Sequence, residues 1–430
     1  MRTPLCAVVI VLASAAPARA EFRDGPYLQA LTSTGVTIVW HAERGAPARV
    51  RVEGPGLPAG GTVVEGAGRV EIRGLQPASR YHYSVELPDA RATGELATAL
   101  PPGDGAPFSF VAFGDNGVAG EGHRRVVEQV LASPPDFVVS TGDMVEDSAR
   151  AELWHRLLAV EQPLIANIVV FPTFGNHDVR AGGVRNDTAR GLYALPDHST
   201  DEELYYAFSY GRSRFVMLDS NARGAALATE TAWLDGELTA ARESHAVDHV
   251  FAVMHHPLFS VSHHGGKSVL RDAWAPLFAR HHVDAVISGH DHVYERGAVD
   301  GVRYFVSGGG GADTYTRRSD AAAADTAAIE RFESVRHFLR VTVRGPKVEV
   351  AAVRNDGTLI ETTTWSTAVA RPAPRTSSIA PPSSAPPPVL AAAAMAVPEP
   401  AGLGTLVMFA FAGTVLVLLA AGVVVRVLRA

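Results

Sequence analysis

From Pro26 to about Thr98, apolar and polar positions alternate with period two in short runs: VTIVW (36–40), ARVRV (48–52), RVEI (69–72) and YHYSVEL (81–87), separated by Gly- and Pro-rich turns. Such alternation turns one face of each strand toward a core. It predicts a small β-sandwich over residues 21–98, with Trp40, Tyr81 and Tyr83 packed inward or at a corner. The segment TALPPGDGAP (98–107) marks the boundary. Beyond it, the apolar runs FSFVAF (108–113), DFVVST (136–141), IVVFPTF (168–174), HVFAVM (249–254) and VDAVIS (283–288) alternate with the helical stretches HRRVVEQVLAS (123–133), TAWLDGELTAARES (231–244) and KSVLRDAWAPLFARHH (267–282). This predicts an α/β domain over 105–366, a β-sheet core flanked by helices. In such folds ligands gather at the carboxyl ends of the strands.

The two ends read differently. Residues 1–20 have one basic residue, an apolar run and an Ala18-Arg19-Ala20 ending, the layout of a signal peptide cleaved before Glu21. The only cysteine, Cys6, lies inside that segment, so the exported chain has no disulfide, thiolate metal site or cysteine nucleophile. Residues 367–396 are rich in Pro, Ala and Ser and read as a linker. Residues 401–425 are uncharged and long enough to cross a bilayer of about 30 Å as a single transmembrane helix. Arg426 and Arg429 after it orient the bulk of the chain outward. Before this run stands Val397-Pro398-Glu399-Pro400, and the tail 397–430 resembles the PEP-CTERM sorting signal, which implies processing by an exosortase. The expected location is the cell envelope or surface, with the chain anchored through the span or released after processing. The net charge of -7 and the lack of any Lys/Arg-rich run exclude nucleic-acid binding through a basic face.

The candidate chemistry lies at the strand ends. FSFVAF runs into Gly114-Asp115-Asn116-Gly117, DFVVST into Gly142-Asp143, IVVFPTF into Gly175-Asn176-His177-Asp178, HVFAVM into His255-His256-Pro257 and VDAVIS into Gly289-His290-Asp291-His292. The glycines permit tight turns that project the next side chain over the sheet edge. Carboxylate, amide and imidazole donors together suit Zn, Mn or Fe. They exceed what one ion needs, and two ions about 3.5–4 Å apart sharing one carboxylate would use them all.

This ordered set, GDxG, GD, GNHD, HxP and GHxH, resembles the calcineurin-like metallophosphoesterases. The ending GHDHVYER, the later YFVSGGGGA (304–312) and the preceding sandwich narrow the resemblance to the purple acid phosphatase branch. GPYLQALTSTGVTIVW and GLQPASRYHYSV in that sandwich look like parts of a fibronectin type III domain. The resemblance implies Asp115 and His292 on one metal, Asn176, His255 and His290 on the other, and Asp143 as the bridge. It implies His177 on the phosphoryl oxygens and His264, with His263 as the alternative, as proton donor to the leaving group. The implied activity is hydrolysis of phosphate esters outside the cytoplasm by a metal-activated hydroxide. The alternatives are a phosphodiesterase of the same fold and a catalytically weak, metal-stabilised surface or matrix protein.

The chain departs from that pattern at the first metal. The purple enzymes carry GDxxY, and here Glu146 stands at the tyrosine position, while Gly117 replaces the histidine of the broader superfamily. Glu146 or Asp147 as an oxygen ligand, or His123 swinging in, are the open substitutes. His256 is expected to pack behind the centre, and the histidines outside the motifs, among them His41, His155, His198 and His249, to be structural.

Overall fold

The computed structural model describes residues 21–181, 184–185, 188–196 and 204–367. The predicted signal segment, nearly all of the linker, the tail and His198 lie outside the described residues.

The first seven strands form two antiparallel sheets. One joins Phe22–Gln29, Gly35–Ala42 and Arg69–Arg73, and the other runs Thr62–Gly66, Ala48–Glu53, Arg80–Glu86 and Arg91–Ala97. In Ala48–Glu53 the residues Ala48, Val50 and Val52 point inward and Arg49 and Glu53 outward, as period-two alternation requires. Ile38 and Trp40 of one sheet meet Val50, Tyr81 and Val85 of the other in one core. Tyr81 ties down its corner by accepting from Gln76 N–H (2.7 Å) and donating to Pro55 O (3.0 Å).

The α/β body differs from the expected single core sheet: it has two sheets. Val170–Pro172, Phe137–Ser140 and Phe108–Phe113 are parallel, and the sheet continues antiparallel through His337–Arg344, Lys347–Arg354 and Leu359–Ser366. In the second sheet Ser213–Met217, His249–Val253, Ala285–Ser288 and Val302–Ser307 are parallel. Aromatics fill the space between the sheets. Phe110 stacks on Phe137 (5.4 Å between centroids) and meets Phe215 edge-on (5.1 Å), and Phe171 stacks on Phe208 (3.8 Å). The outer faces are covered by helices: Val126 and Val130 of Glu121–Leu131 and Leu157 of Ala151–Ile165 over the first, Leu234 of Ala225–Glu243 and Trp274 of Ser268–Arg280 over the second. Strands apolar on both sides are as consistent with sheet-plus-helix cover as with helices on both faces.

The expected C-terminal transmembrane helix is corrected. No helix among the described residues is long and apolar enough to cross a membrane, and the run 401–425 lies outside them. The longest described helix, Ala225–Glu243, buries Leu227, Leu234 and Leu238 and carries Asp235, Glu237, Arg242 and Glu243, the amphipathic layout of a helix lying on a sheet. An apolar run meets the length requirement of a span but does not by itself establish one.

Sandwich and body meet around Asp24, buried in the first strand, which accepts from His41 Nδ1 (3.2 Å) and from His155 Nδ1 (2.9 Å) of the helix Ala151–Ile165. Tyr83 Oη donates to Ala166 O (2.6 Å) nearby. Burial pushes the Asp24 carboxyl up, but the two histidine hydrogen bonds outweigh it and hold the group below the ordinary carboxylate range. A depressed folded-state pKa contributes stability above the unfolded value and loses it as pH falls through the folded one. Asp24→Asn is therefore expected to cost about 2 kcal/mol at pH 7. The gap to the parent chain should close as pH falls below about 3.9, the ordinary Asp value. Urea melts at pH 7 and pH 3 check this, and a gap equal at both would place the effect elsewhere.

Candidate metal centre

Five parallel strands from the two sheets end at one edge, and their turns are stitched together. Asp115 N–H donates to Gly142 O (2.8 Å), Asn116 N–H to Asp143 O (3.0 Å) and Gly289 N–H to His255 O (2.9 Å). Asp115, Asp143 and His290 all have left-handed backbone (φ 60°, 48° and 69°), a conformation that concentrates at functional sites. Two glycines are required for close approach. A Cβ on Gly175 would stand 1.9 Å from Asp143 Oδ1, and one on Gly289 2.4 Å from Asp115 Oδ2. Gly175→Ala is expected to push Asp143 aside and weaken metal affinity by roughly 10–100-fold, as loss of ligand orientation does elsewhere. Competition titration with a chelator measures it, and an unchanged affinity would refute the role given to this glycine.

The structure brings the sequence-predicted residues together. Ligand-type atoms of Asp115, Asp143 and His255 lie within 4.8 Å of one another, as do those of His255, His256 and His290. His255 Nε2 is 3.2 Å from Asp143 Oδ2 and 3.1 Å from His290 Nδ1, while its Nδ1 faces Thr141 O (2.9 Å). His292 Nε2 is 3.5 Å from Asp115 Oδ1, and its Nδ1 donates to Asp313 O (2.8 Å). Asp115 Oδ2 accepts from His290 N–H (3.0 Å). His177 is exposed, with Nδ1 donating to Glu146 O (2.7 Å) and Nε2 3.9 Å from Asp143 Oδ2. His264 is exposed, its ring stacked 4.2 Å from that of His290, and His263 lies 4.7 Å from His264.

Burial and close-packed charges shift the groups of the site in opposite directions. Burial, with Asp143 adding to it against the opposing charge of His255, drives the Asp115 carboxyl well above the usual range. Burial likewise pushes Asp143 up, but His255 and His177 overcome it and hold it low. His255 rises to about 9 because Asp143 and Asp115 outweigh its burial. His290 is held far below the usual histidine range by burial and by the surrounding imidazoles. Two buried polar atoms, Asn176 Oδ1 and His290 Nε2, have no hydrogen-bond partner among the described residues. Buried polar groups without partners call for a missing one. Paired carboxyl groups, the neutral His290 imidazole and two orphaned ligand atoms fit a metal of borderline character.

Among the substitutes for the missing ligand of the first metal, Glu146 is exposed, and its main-chain oxygen fixes His177. His123 is buried with Nε2 on Glu161 (3.0 Å) and Nδ1 on Gly310 O (2.7 Å), both ring nitrogens engaged away from the centre. His256 bonds Ser220 Oγ through Nδ1 (2.9 Å). Two neighbours escape a reading by motif. Tyr315 stacks on His292 (4.1 Å, 15°), and it comes from a loop with no strand-end signature. Asp178, the last residue of Gly175-Asn176-His177-Asp178, accepts from Met144 N–H (2.9 Å) and Gly175 N–H (2.9 Å), and burial and Asp143 push it up to about 7. Outside the centre, His41 and His155 hold Asp24, and His249 bonds Gly345 O (2.8 Å).

Residues 108–294 match the model of the calcineurin-like phosphoesterase family. It is 27% identical over 318 residues to an uncharacterized protein of Mycobacterium tuberculosis, covering 61% of this chain and 60% of that one. It is 24% identical over 264 residues to purple acid phosphatase 23 of Arabidopsis thaliana, covering 53% of this chain and 57% of that one. Among solved structures it is similar to a purple acid phosphatase from seeds of yellow lupin (Lupinus luteus), with TM-score 0.67, 17% identity and coverage of 79% and 74% of the two chains. The chain thus spans about three fifths of the length of the curated relatives it matches. The fold is the metallophosphoesterase α/β fold, related to that of the purple acid phosphatases. Those relatives, with the Asp and His clusters present here, imply divalent or trivalent metal ions.

Proposed function

We propose that the chain hydrolyses phosphate esters at a two-metal centre, in the manner of an acid phosphatase. The observation that carries the reading is the convergence of Asp115, Asp143, His255, His290 and His292 at one sheet edge around the orphaned Asn176 Oδ1 and His290 Nε2. Asp115 and His292 would hold one ion, Asn176, His255 and His290 the other, and Asp143 both. Bound ions of this kind supply Lewis-acid charge at phosphorus and a water of lowered pKa.

The chain's own groups bind, orient and protonate. His177, fixed through Nδ1, presents Nε2 beside Asp143, where it faces a phosphoryl oxygen of the ester. His264 is pushed down to about 4 by burial and by His263, Lys267 and His255, so in the free protein its ring is neutral at pH 7. The negative charge of a bound ester beside it favours the protonated form, which can hand a proton to the departing alkoxide.

Three parts of the reading rest on sequence. Strands between residues 21 and 98 form a fibronectin III-like module, residues 1–20 export the chain so that it acts outside the cytoplasm, and the VPEP stretch marks sorting through an exosortase. The test is hydrolysis of p-nitrophenyl phosphate and its bis-ester by the full chain stripped and reloaded with Mn, Zn or Fe, beside Asp143→Asn. Metal-dependent turnover that disappears in the variant is expected. Inactivity of every loaded form on both esters would replace this reading with that of a metal-stabilised binding protein.

A further inference from the structure

Between Pro257 and Lys267 the chain leaves the sheet edge and returns, its neck closed by Lys267 N–H donating to Pro257 O (2.9 Å) and its tip carrying His263 and His264. Behind this loop lie three buried carboxylates from two parts of the sequence, and each accepts a main-chain N–H from it. His264 N–H donates to Asp291 Oδ1 (2.8 Å), Val261 N–H to Glu295 Oε1 (3.1 Å) and Gly266 N–H to Asp325 Oδ2 (3.2 Å). Ser260 Oγ donates to Asp291 Oδ2 and accepts from Ser262 N–H (3.1 Å). Asp325 has a cation, Arg271 Nη1 at 2.7 Å. Glu295, in the strand Tyr294–Val299, is fully buried, and its Oε2 has no hydrogen-bond partner among the described residues.

A buried carboxyl without a cation is costly, and a residue needed only to fill the space would be better served by an apolar side chain. What Glu295 offers is a rigid acceptor three residues before His264. Asp291, the other anchor of the loop, stands between His290 and His292, so the clamp that holds His264 is continuous with the centre itself.

We propose that Glu295 is a positioning residue for His264: together with Asp291 and Ser260 it locks the 257–267 loop so that the His264 ring stays stacked on His290. This rests on the phosphoester-hydrolase reading. A displaced His264 penalises only substrates whose leaving group needs a proton. Burial, with Asp291 adding to it, pushes the Glu295 carboxyl up to about 8, so an amide is a fair mimic of the form present at neutral pH.

The experiment compares kcat/KM of the metal-loaded full chain on 2,4-dinitrophenyl phosphate, whose leaving group departs unprotonated, and on glycerol 2-phosphate, whose alkoxide needs a proton. Glu295→Ala should raise the ratio of the first to the second by about tenfold or more, a part of the 10²–10⁴ that a positioned acid supplies. Glu295→Gln should restore most of it. Ser260→Ala, which leaves Glu295 in place, should move the ratio in the same direction and keeps the test open where Glu295→Ala does not fold. Metal content should match the parent chain in each. An unchanged ratio in the folded variants, with the parent chain active, overturns this inference alone. A parent chain inactive on both esters overturns the hydrolase reading and this inference with it.

Discussion

Asp143→Asn is expected to lower phosphate-ester turnover by at least about 10³-fold, which corresponds to roughly 4 kcal/mol of transition-state stabilisation. Its carboxylate lies against several members of the centre. Oδ1 accepts from His177 N–H (2.9 Å) and Oδ2 lies 3.2 Å from His255 Nε2, with Asp115 in the same cluster. An amide keeps the shape but loses the charge and turns one acceptor into a donor, which meets imidazole nitrogen and metal alike with the wrong polarity. His255 sits near 9 mainly because Asp143 and Asp115 draw its proton, so the variant should also lower that value and leave the His255 ring neutral at pH 7. The measurement is kcat/KM beside metal stoichiometry by atomic emission. Near-parental turnover in a variant that still binds two ions would remove Asp143 from the role of bridge.

His264→Ala should cost about 10²–10⁴-fold on an alkyl phosphate and far less on the dinitrophenyl ester, because only the former waits for a proton. The ring is exposed and stacks on His290, and the main-chain N–H of His264 donates to Asp291 (2.8 Å), so removal of the ring leaves that anchor and the centre's donors in place. His263 is the competing donor at 4.7 Å. A larger leaving-group-dependent loss in His263→Ala than in His264→Ala would exchange their roles.

The residues of the centre were legible because each motif is local. A strand and its donor side chain, in all but the His255 motif with a glycine between them, lie within ten residues of one another, and parallel strands deliver every such end to one edge. Asp115, Asp143, His255, His290 and His292 were therefore readable without knowing how the strands are ordered. The alternation that turned Trp40, Tyr81 and Tyr83 inward is a property of a single strand and was equally readable.

What the tertiary structure decided involves partners far apart in the chain. Apolar strands such as FSFVAF do not say whether their second face meets a helix or another sheet, and only the packing of Phe110 against Phe215 resolves that into two sheets. The substitutes for the missing ligand were equivalent by spacing; the fold gave the Glu146 main-chain oxygen to His177 and His123 to Glu161. Tyr315 on His292 carries no motif, and GHDHVYER does not reveal that its Glu295 lies beneath the His264 loop, since both roles depend on which loops face each other across the sheet edge. The chain by itself determined which donors arrive at the edge, because backbone geometry and glycine placement act within a few residues. Which neighbours hold those donors still was decided by contacts 30 to 190 residues apart in sequence, such as Val261 with Glu295 and His123 with Gly310, and these exist only once the sheets have packed.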